Sequence, residues 1–232
     1  MTEEPRAEDV PRVTACWIAS VDGRSTLGGG SSGLSGRADR VVLREQRARA
    51  DAVLVGSRTA AIERYRRSRS NPELPFVIVS RDLSLPTDIP LLQDPDADVR
   101  VLTWSDAEPP VVPAKLEVLR VPDAGFSEAL AAVCSVGIRK LLCEGGPTLL
   151  GLLIAEDLID ELVVTFAPAL VGDGEQPVLV APGRHVSRGF ALEALRADEN
   201  YVFARYIRRR VDTAVRPADQ RSTTTPTNQS VS

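Results

Sequence analysis

The sequence predicts one α/β domain with a mostly parallel twisted sheet, helices on both faces and a C-terminal antiparallel hairpin. Short runs rich in valine, leucine and isoleucine alternate with segments of helical periodicity. Strands that alternate with crossover helices are typical of parallel sheets covered on both faces. The last two strand-like runs have no helix between them, which predicts the hairpin. With 232 residues, of which 43% are hydrophobic, the chain is long enough to bury a core.

The strands are predicted from short apolar runs that end at glycine, proline or polar residues. In the strand predicted at 51–56, for example, residues 52–55 are all apolar and the strand ends at Gly56. The same reasoning gives strands at residues 13–20, 51–56, 76–80, 99–103, 116–121, 138–143, 161–166, 190–195 and 201–208. Residues 196–200 are predicted to form the turn that connects the last two strands in the hairpin.

Three helices are predicted from unbroken segments with apolar residues at helical spacing. The segment 37–50 contains no helix breaker, and 127–136 begins with Ser127, a residue type that caps helices. The third helix is predicted over 149–156, after the Pro147 that suits a first helical turn. Small hydroxyl residues after Gly56 indicate a further helix start.

The chain divides into one domain and two polar ends. Residues 1–11 and 213–232 are polar and contain little to bury, so we expect disordered tails around a domain at 12–212. No apolar run is long enough to span a bilayer, and the N-terminus lacks the pattern of a signal peptide. We therefore expect a cytoplasmic protein.

Charge and composition exclude several functional classes. A net charge of −4 argues against nucleic-acid binding, which needs a basic face. The single histidine, His185, excludes a histidine-rich zinc site, and no metal is expected. Three cysteines without C-x-x-C spacing indicate reduced, buried thiols. The basic stretch 64–69 is either a solvated loop or a contact for an anionic ligand.

The strongest candidate site follows the strand that ends at residue 143. Glu144 is a carboxylate at a strand end, well placed to accept hydrogen bonds from a hydroxylated ligand. The Gly145, Gly146 and Pro147 that follow allow close backbone approach and open a helix, whose free N–H groups suit a pyrophosphate. The alternative is an ordinary tight turn between a strand and a helix.

Other strand ends carry weaker signals. The strand that ends at Gly56 leads to Thr59 at a helix start. This segment lacks the G-x-G-x-x-G pattern, so a standard Rossmann fingerprint is absent. Ser80 and Arg81 at a strand end suit a phosphate monoester, although an exposed arginine is an equally good interpretation. Asp22 precedes a glycine and serine loop at 28–33 that is flexible enough to close over a ligand.

Together these motifs resemble the reductase domain of riboflavin biosynthesis, the family of the C-terminal half of the bifunctional deaminase-reductase. The resemblance covers residues 13–209. Its motifs are the S-x-D-G at 20–23, the Arg-Ala-x-Ala-Asp passage at 47–51, Thr59, the Glu-Gly-Gly-Pro-Thr-Leu at 144–149 and the late strand and loop at 158–172. It implies a dihydrofolate reductase-like fold, NADPH as the cofactor and a homodimer.

The resemblance also implies roles for individual residues. Ser20, Asp22, Arg47 and Glu144 would face the substrate, with Asp22 and Glu144 as the catalytic pair. Residues 146–149 would hold the pyrophosphate, Thr59 and Glu63 would line the path of the adenosine, and Ser80 and Arg81 would meet the 2′-phosphate. The full cofactor set implied is Ala19, Gly56, Thr59, Glu63, Ser80, Arg81, Gly145, Gly146, Pro147, Thr148 and Leu149.

The implied reaction is reduction of the ribosylamino group of a phosphorylated 5-aminopyrimidine, either the uracil or its diamine precursor, to the ribitylamino form. The chain departs from the family at Arg58, where a small residue is usual, at Glu63, where aspartate is common, and in the substrate loop at 63–75. These departures leave two alternatives open: a dihydrofolate or pterin reductase on the same fold, and an NADP-binding protein without catalysis.

Overall fold

The structure is a computed structural model that describes residues 9–121, 125–180 and 189–208. Within these residues, nine strands form one sheet in the order β5-β4-β3-β2-β6-β1-β7-β9-β8. The strands are β1 (Arg12–Ser20), β2 (Ala52–Gly56), β3 (Phe76–Val79), β4 (Asp98–Thr103), β5 (Lys115–Arg120), β6 (Lys140–Cys143), β7 (Glu161–Ala167), β8 (Phe190–Asp198) and β9 (Tyr201–Arg208). The helices are α1 (Arg37–Arg49), α2 (Ser57–Ile62), α3 (Phe126–Ser135) and α4 (Pro147–Ala155).

The sheet is parallel from β5 to β7 and antiparallel at the other edge. β1 lies between β6 and β7 and pairs in parallel with both, whereas β9 runs antiparallel to β7 and to β8. The carboxyl ends of β1, β2, β3, β4 and β6 therefore meet along one edge, where ligands bind in sheets of this kind. The predicted fold class, including the C-terminal antiparallel hairpin, is confirmed.

Apolar residues on the two faces of the sheet form separate cores. On one face, residues of α3 and α4 such as Leu130 and Leu153 pack with Val13 and Leu141 of the central strands. On the other face, Val42 of α1 packs over Cys16, Leu142, Val163 and Phe203. A further core under the β3–β4 end contains Phe76, Ile78 and Leu92. The central strands are buried on both sides, which explains their nearly continuous apolar sequences.

Several predicted boundaries differ from the structure. The predicted five-residue turn at 196–200 is a two-residue turn, because Glu199 and Asn200 both adopt positive φ, 49° and 68°, as tight hairpin turns require. α3 begins one residue before Ser127; the Glu128 carboxylate accepts a 2.7 Å hydrogen bond from the N–H of Gly125. α4 begins at Pro147 rather than at 149, since proline is well tolerated in the first turn.

Some predictions fall outside the residues that the structure describes. The predicted C-terminal tail at 213–232, most of the predicted N-terminal tail at 1–11 and His185 are among them. In the described part of the chain, no helix combines the length and apolar character that a membrane span requires.

Candidate active site

A cavity of about 500 Å³ lies at the carboxyl ends of the parallel strands. Its floor is formed by residues of β1 and by the segment after β6, and its walls by α1, α2 and α4. Residues that line it include Cys16, Thr26, Ser35, Asp39, Leu43, Gly56, Arg58, Thr59, Glu63, Tyr65, Arg81, Trp104, Phe126, 144–149 and Gln176. Strand ends from across the sheet therefore contribute to one site.

The N-terminus of α4 opens into this cavity. Gly146 is its N-cap, and Pro147, Thr148 and Leu149 of the first turn line the cavity wall. N–H groups in a first helical turn have no partner within the helix and attract anions. A Cβ atom on Gly146 would lie 2.3 Å from Oγ1 of Thr59, so only glycine fits between α4 and α2. The close approach of the two helices creates a narrow backbone cradle.

Glu144 is held in a buried network beside this cradle. Arg47 donates two hydrogen bonds to its carboxylate, Nε to Oε1 and Nη2 to Oε2, each 2.7 Å long. The hydroxyl of Tyr65 donates to Oε2 at 2.7 Å. The Glu144 side chain is only 5% exposed and that of Arg47 18%. Three donors thus occupy most of the roughly four acceptor positions of one carboxylate.

Burial and the Glu144 charge raise the pKa values of two groups in and beside the network, Tyr65 and Cys16. Burial, followed by the Glu144 carboxylate, raises the pKa of the Tyr65 hydroxyl well above its ordinary value. Burial and the charges of Glu144 and Asp39 likewise raise the pKa of the Cys16 thiol. Both groups stay neutral at physiological pH, so Tyr65 acts as a hydrogen-bond donor and Cys16 as an unreactive thiol.

Asp22 occupies a different environment at the end of β1. Its Oδ1 accepts a 2.6 Å hydrogen bond from the Ser20 hydroxyl and a 3.1 Å bond from the N–H of Val171. Its Oδ2 accepts a 2.7 Å bond from the N–H of Gly172. These hydrogen bonds, that of Ser20 first, lower the pKa of Asp22 to about 2. Its carboxylate therefore fastens the loop that follows β7.

The side chains of α1 that face the cavity follow one stripe of the helix. Asp39 and Leu43 are four residues apart and both line the cavity. The same spacing leads to Arg47, which lies behind the cavity wall and binds Glu144. Ser35, which precedes the helix, donates a 2.6 Å hydrogen bond to Oδ2 of Asp39.

Aromatic and basic side chains line the cavity where β3 and β4 end. Trp104 stacks on Phe126 with ring centroids 5.7 Å apart, and the guanidinium carbon of Arg81 lies 5.3 Å from the centroid of the Trp104 ring. Arg58 at the start of α2 also lines this cavity. Cationic and aromatic groups together suit a ligand that carries both a phosphate and a planar base.

Two loops cover the cavity and are joined to each other. Thr26 donates a 2.5 Å hydrogen bond to Oε2 of Glu175, and the N–H of Gly28 donates a 2.7 Å bond to Oε1. The N–H of Ser31 donates to Glu63 at 2.7 Å, which ties the same loop to the segment after α2. The glycine and serine loop at 28–33, which we predicted to be flexible, is thus hydrogen-bonded at Gly28 and Ser31 in this structure, and the preceding Thr26 adds a third bond.

The structure brings many of the predicted site residues together in the cavity. Those that line it are Gly56, Thr59, Glu63, Arg81, Glu144, Gly145, Gly146, Pro147, Thr148 and Leu149. Five other predicted site residues do not belong to the cavity lining, as far as the described residues show: Ala19, Ser20, Asp22, Arg47 and Ser80. Ser20 and Ser80 are buried, at 1% and 3% exposure, and Ser80 donates to the carbonyl of Ser84 at 3.0 Å.

Sequence reasoning missed Asp39, Tyr65 and Trp104. The four-residue spacing of Asp39, Leu43 and Arg47 on a predicted helix was an available signal for Asp39. No comparable signal was present for Tyr65 or Trp104, because each lies in irregular chain after a helix or strand.

The fold and the position of the cavity define a dihydrofolate reductase-like α/β domain. A pyrimidine reductase-like protein from Corynebacterium diphtheriae superimposes with a TM-score of 0.74, at 22% identity over 87% of this chain and 93% of that one. A dihydrofolate reductase from Enterococcus faecalis, solved with NADP(H), superimposes with a TM-score of 0.51, at 14% identity over 85% and 96%.

The chain belongs to the RibD C-terminal domain family, whose model matches residues 11–203. The riboflavin biosynthesis protein RibD of Mycobacterium tuberculosis is 32% identical over 170 residues, which are 70% of this chain and 44% of that protein. The chain thus spans about half the length of the RibD relatives that it matches. A 2,5-diamino-6-ribosylamino-4(3H)-pyrimidinone 5′-phosphate reductase from Methanothermobacter thermautotrophicus is 29% identical over 69% of this chain and 79% of that protein.

Proposed function

We propose that the protein is an NADPH-dependent reductase that converts the ribosylamino group of a phosphorylated 5-aminopyrimidine to the ribitylamino form in riboflavin biosynthesis. The observation that carries this proposal is that one cavity joins the α4 cradle to the Glu144 network at the strand ends. Membership of the RibD C-terminal domain family and the name of the Methanothermobacter relative support the same reaction.

The residues of the cavity fit a phosphorylated dinucleotide. The narrow cradle at Gly146 and the first turn of α4 would hold the pyrophosphate through backbone N–H groups. Arg81 and Trp104 would receive the adenosine end and its 2′-phosphate, with Arg58 contributing a second positive charge. Thr59 and Glu63 would line the path between these two ends.

NADPH held by the first turn of α4, Thr59 and Arg81 would supply the hydride for reduction at C1′ of the open-chain sugar imine, and the imine nitrogen would gain a proton to give the amine. The protein positions the reacting carbon and excludes water through the loops that contain Thr26 and Gln176. Glu144, locked by Arg47 and Tyr65, fixes the wall beside the cradle. Asp22, with a pKa of about 2, is ionised at neutral pH and holds the loop after β7.

Titration followed by turnover tests this function. Purified protein should bind NADPH more tightly than NADH, as measured by nucleotide fluorescence. Addition of the ribosylaminopyrimidine phosphate should then lower the absorbance of the reduced nicotinamide. Turnover of dihydrofolate alone would indicate a pterin reductase instead, and cofactor binding without turnover of either would indicate a silent NADP-binding protein. Absence of NADPH binding would overturn the proposal.

We also propose that the protein is a homodimer, formed through the face of β7, β9 and β8 that points away from α1. Large apolar side chains are exposed there: Phe166 at 37%, Leu192 at 53%, Leu195 at 62% and Val202 at 38%. The strand register places them on the same face. Contiguous exposed apolar patches typically mark protein interfaces. Light scattering after size-exclusion chromatography should give a dimer, and Leu195→Glu should give a monomer.

A cytoplasmic location is part of the same proposal. Cys16 and Cys143 are free and buried. Unpaired thiols fit a reducing compartment.

A further inference from the structure

Asp39 places a carboxylate in the cavity on the wall formed by α1. It is half-buried, and the stripe that it shares with Leu43 leads toward the Arg47–Glu144 ion pair. The charge of Asp39 acts on Cys16 of the cavity floor together with that of Glu144. Asp39 therefore lies on the α1 side of the cavity, whereas Arg81 and Trp104 follow β3 and β4, which β2 and β6 separate from β1 in the sheet.

Of the carboxylates that line the cavity, Glu144 belongs to the network with Arg47 and Tyr65, and Glu63 holds the loop at Ser31. Glu144 accepts three hydrogen bonds from Arg47 and Tyr65, and Glu63 accepts the N–H of Ser31. Asp39 accepts the hydroxyl of Ser35 through Oδ2. A carboxylate has roughly four acceptor positions, so Asp39 retains acceptor capacity on a side chain that lines the cavity.

We propose that Asp39 is a specificity-determining residue that selects a 2-aminopyrimidin-4-one substrate over the corresponding pyrimidine-2,4-dione. This inference rests on the proposed function and chooses between the two pyrimidine substrates that the function allows. It assigns the chain the 2,5-diamino-pyrimidinone phosphate as its substrate.

The choice follows from the hydrogen-bonding edges of the two rings. A 2-aminopyrimidin-4-one presents its N3–H and an N–H of its 2-amino group side by side, and a carboxylate accepts both. The dione replaces the 2-amino group with the O2 carbonyl, which turns an acceptor toward a carboxylate oxygen. Two facing acceptors leave buried groups unpaired, and unpaired buried polar groups are the strongest source of discrimination between ligands of similar shape.

The test is a comparison of kcat/KM for the two phosphorylated ribosylaminopyrimidines with the wild type and Asp39→Asn. The wild type should prefer the 2-amino substrate by about tenfold or more, and Asp39→Asn should lower kcat/KM for that substrate about 10- to 100-fold. For the dione, kcat/KM should fall little in Asp39→Asn, because the asparagine amide can donate a hydrogen bond to O2. Dissociation constants for NADPH should agree within a few-fold, since Asp39 lies away from the nucleotide end.

Glu45→Gln is the matched control, because it removes one negative charge from an exposed position of the same helix. It should leave the preference between the two substrates unchanged. If Asp39→Asn lowers kcat/KM equally for both substrates, Asp39 has a structural role and the inference is overturned. A wild type that turns over both substrates equally also overturns it. The proposed function survives either result. Failure of the wild type to reduce either pyrimidine overturns both the inference and the proposed function.

Discussion

The two carboxylates predicted to be catalytic, Glu144 and Asp22, both follow a strand of the parallel sheet yet occupy opposite environments. Glu144 is 5% exposed, lines the cavity and binds the partly buried guanidinium of Arg47. Asp22 is exposed and binds the hydroxyl of Ser20 and two backbone N–H groups of the loop after β7. One carboxylate therefore stabilises the wall of the site, and the other stabilises a loop.

The comparison shows that a position at a strand end brings a carboxylate to the edge of the sheet where ligands bind, but does not determine the role of that carboxylate. The role depends on the donors that the fold places around it. Arg47 and Tyr65, which bind Glu144, are 97 and 79 residues away from it in the sequence. The N–H groups of Val171 and Gly172, which bind Asp22, are 149 and 150 residues away from it. Four predictions test this difference, from the largest expected effect to the smallest.

Removal of the guanidinium beside Glu144 should have the largest effect. Arg47→Met leaves a buried carboxylate without its counter-charge, so the free energy of unfolding should fall by about 3–5 kcal/mol. Urea denaturation followed by circular dichroism measures this loss. The double variant Arg47→Met with Glu144→Gln should recover part of the loss; simple additivity of the two single effects would show that the pair is not coupled.

Loss of the Tyr65 hydroxyl should have a smaller effect on the same network. Tyr65→Phe keeps the ring beside Phe76 but removes a hydrogen bond to a charged group, a change of about 1.5–3 kcal/mol in unfolding free energy. The matched control is Tyr201→Phe, whose hydroxyl donates to the neutral carbonyl of Leu34 at 2.9 Å. Tyr201→Phe should lower the free energy of unfolding by only about 0.5–1.5 kcal/mol. Equal losses would contradict a special role for the Glu144 charge.

The contribution of Asp22 should depend on pH. Its pKa is lowered from 3.8 to about 2 in the folded protein, so the folded state binds the proton less readily than the unfolded chain. The stabilisation is present above the unfolded pKa and is lost as the pH falls through about 2. Wild type should therefore be more stable than Asp22→Asn at pH 6, and the gap should close on acidification. A gap independent of pH in urea denaturation would sink this account.

An exposed ion pair provides the baseline for these effects. Asp88 accepts a 2.7 Å hydrogen bond from Arg64, and their side chains are 75% and 55% exposed. Exposed pairs gain little because water screens the charges and the side chains lose entropy. Asp88→Asn should leave the urea midpoint unchanged within error, and a loss as large as that of Tyr65→Phe would contradict the link between burial and stabilisation.

The candidate site could be predicted where neighbouring residues carry the signal. The Glu-Gly-Gly-Pro element at 144–147 combines a strand end, close backbone approach and a helix start in one short segment. Asp22 was equally visible as a motif residue. Its donors, Val171 and Gly172, come from another part of the chain, and the motif alone does not indicate that its carboxylate serves a loop.

The sequence by itself determined the order of strands and helices and the hairpin at the end of the chain. Apolar periodicity and glycine or proline at element ends are local properties, so they can be read without knowing the partners of each segment. Only the tertiary structure decided that Tyr65 completes the Glu144 network and that Asp39 faces the cavity between α1 and β1. The physical reason is that these contacts join segments far apart in the chain, and their geometry follows from the packing of helices on the sheet rather than from local conformational preference.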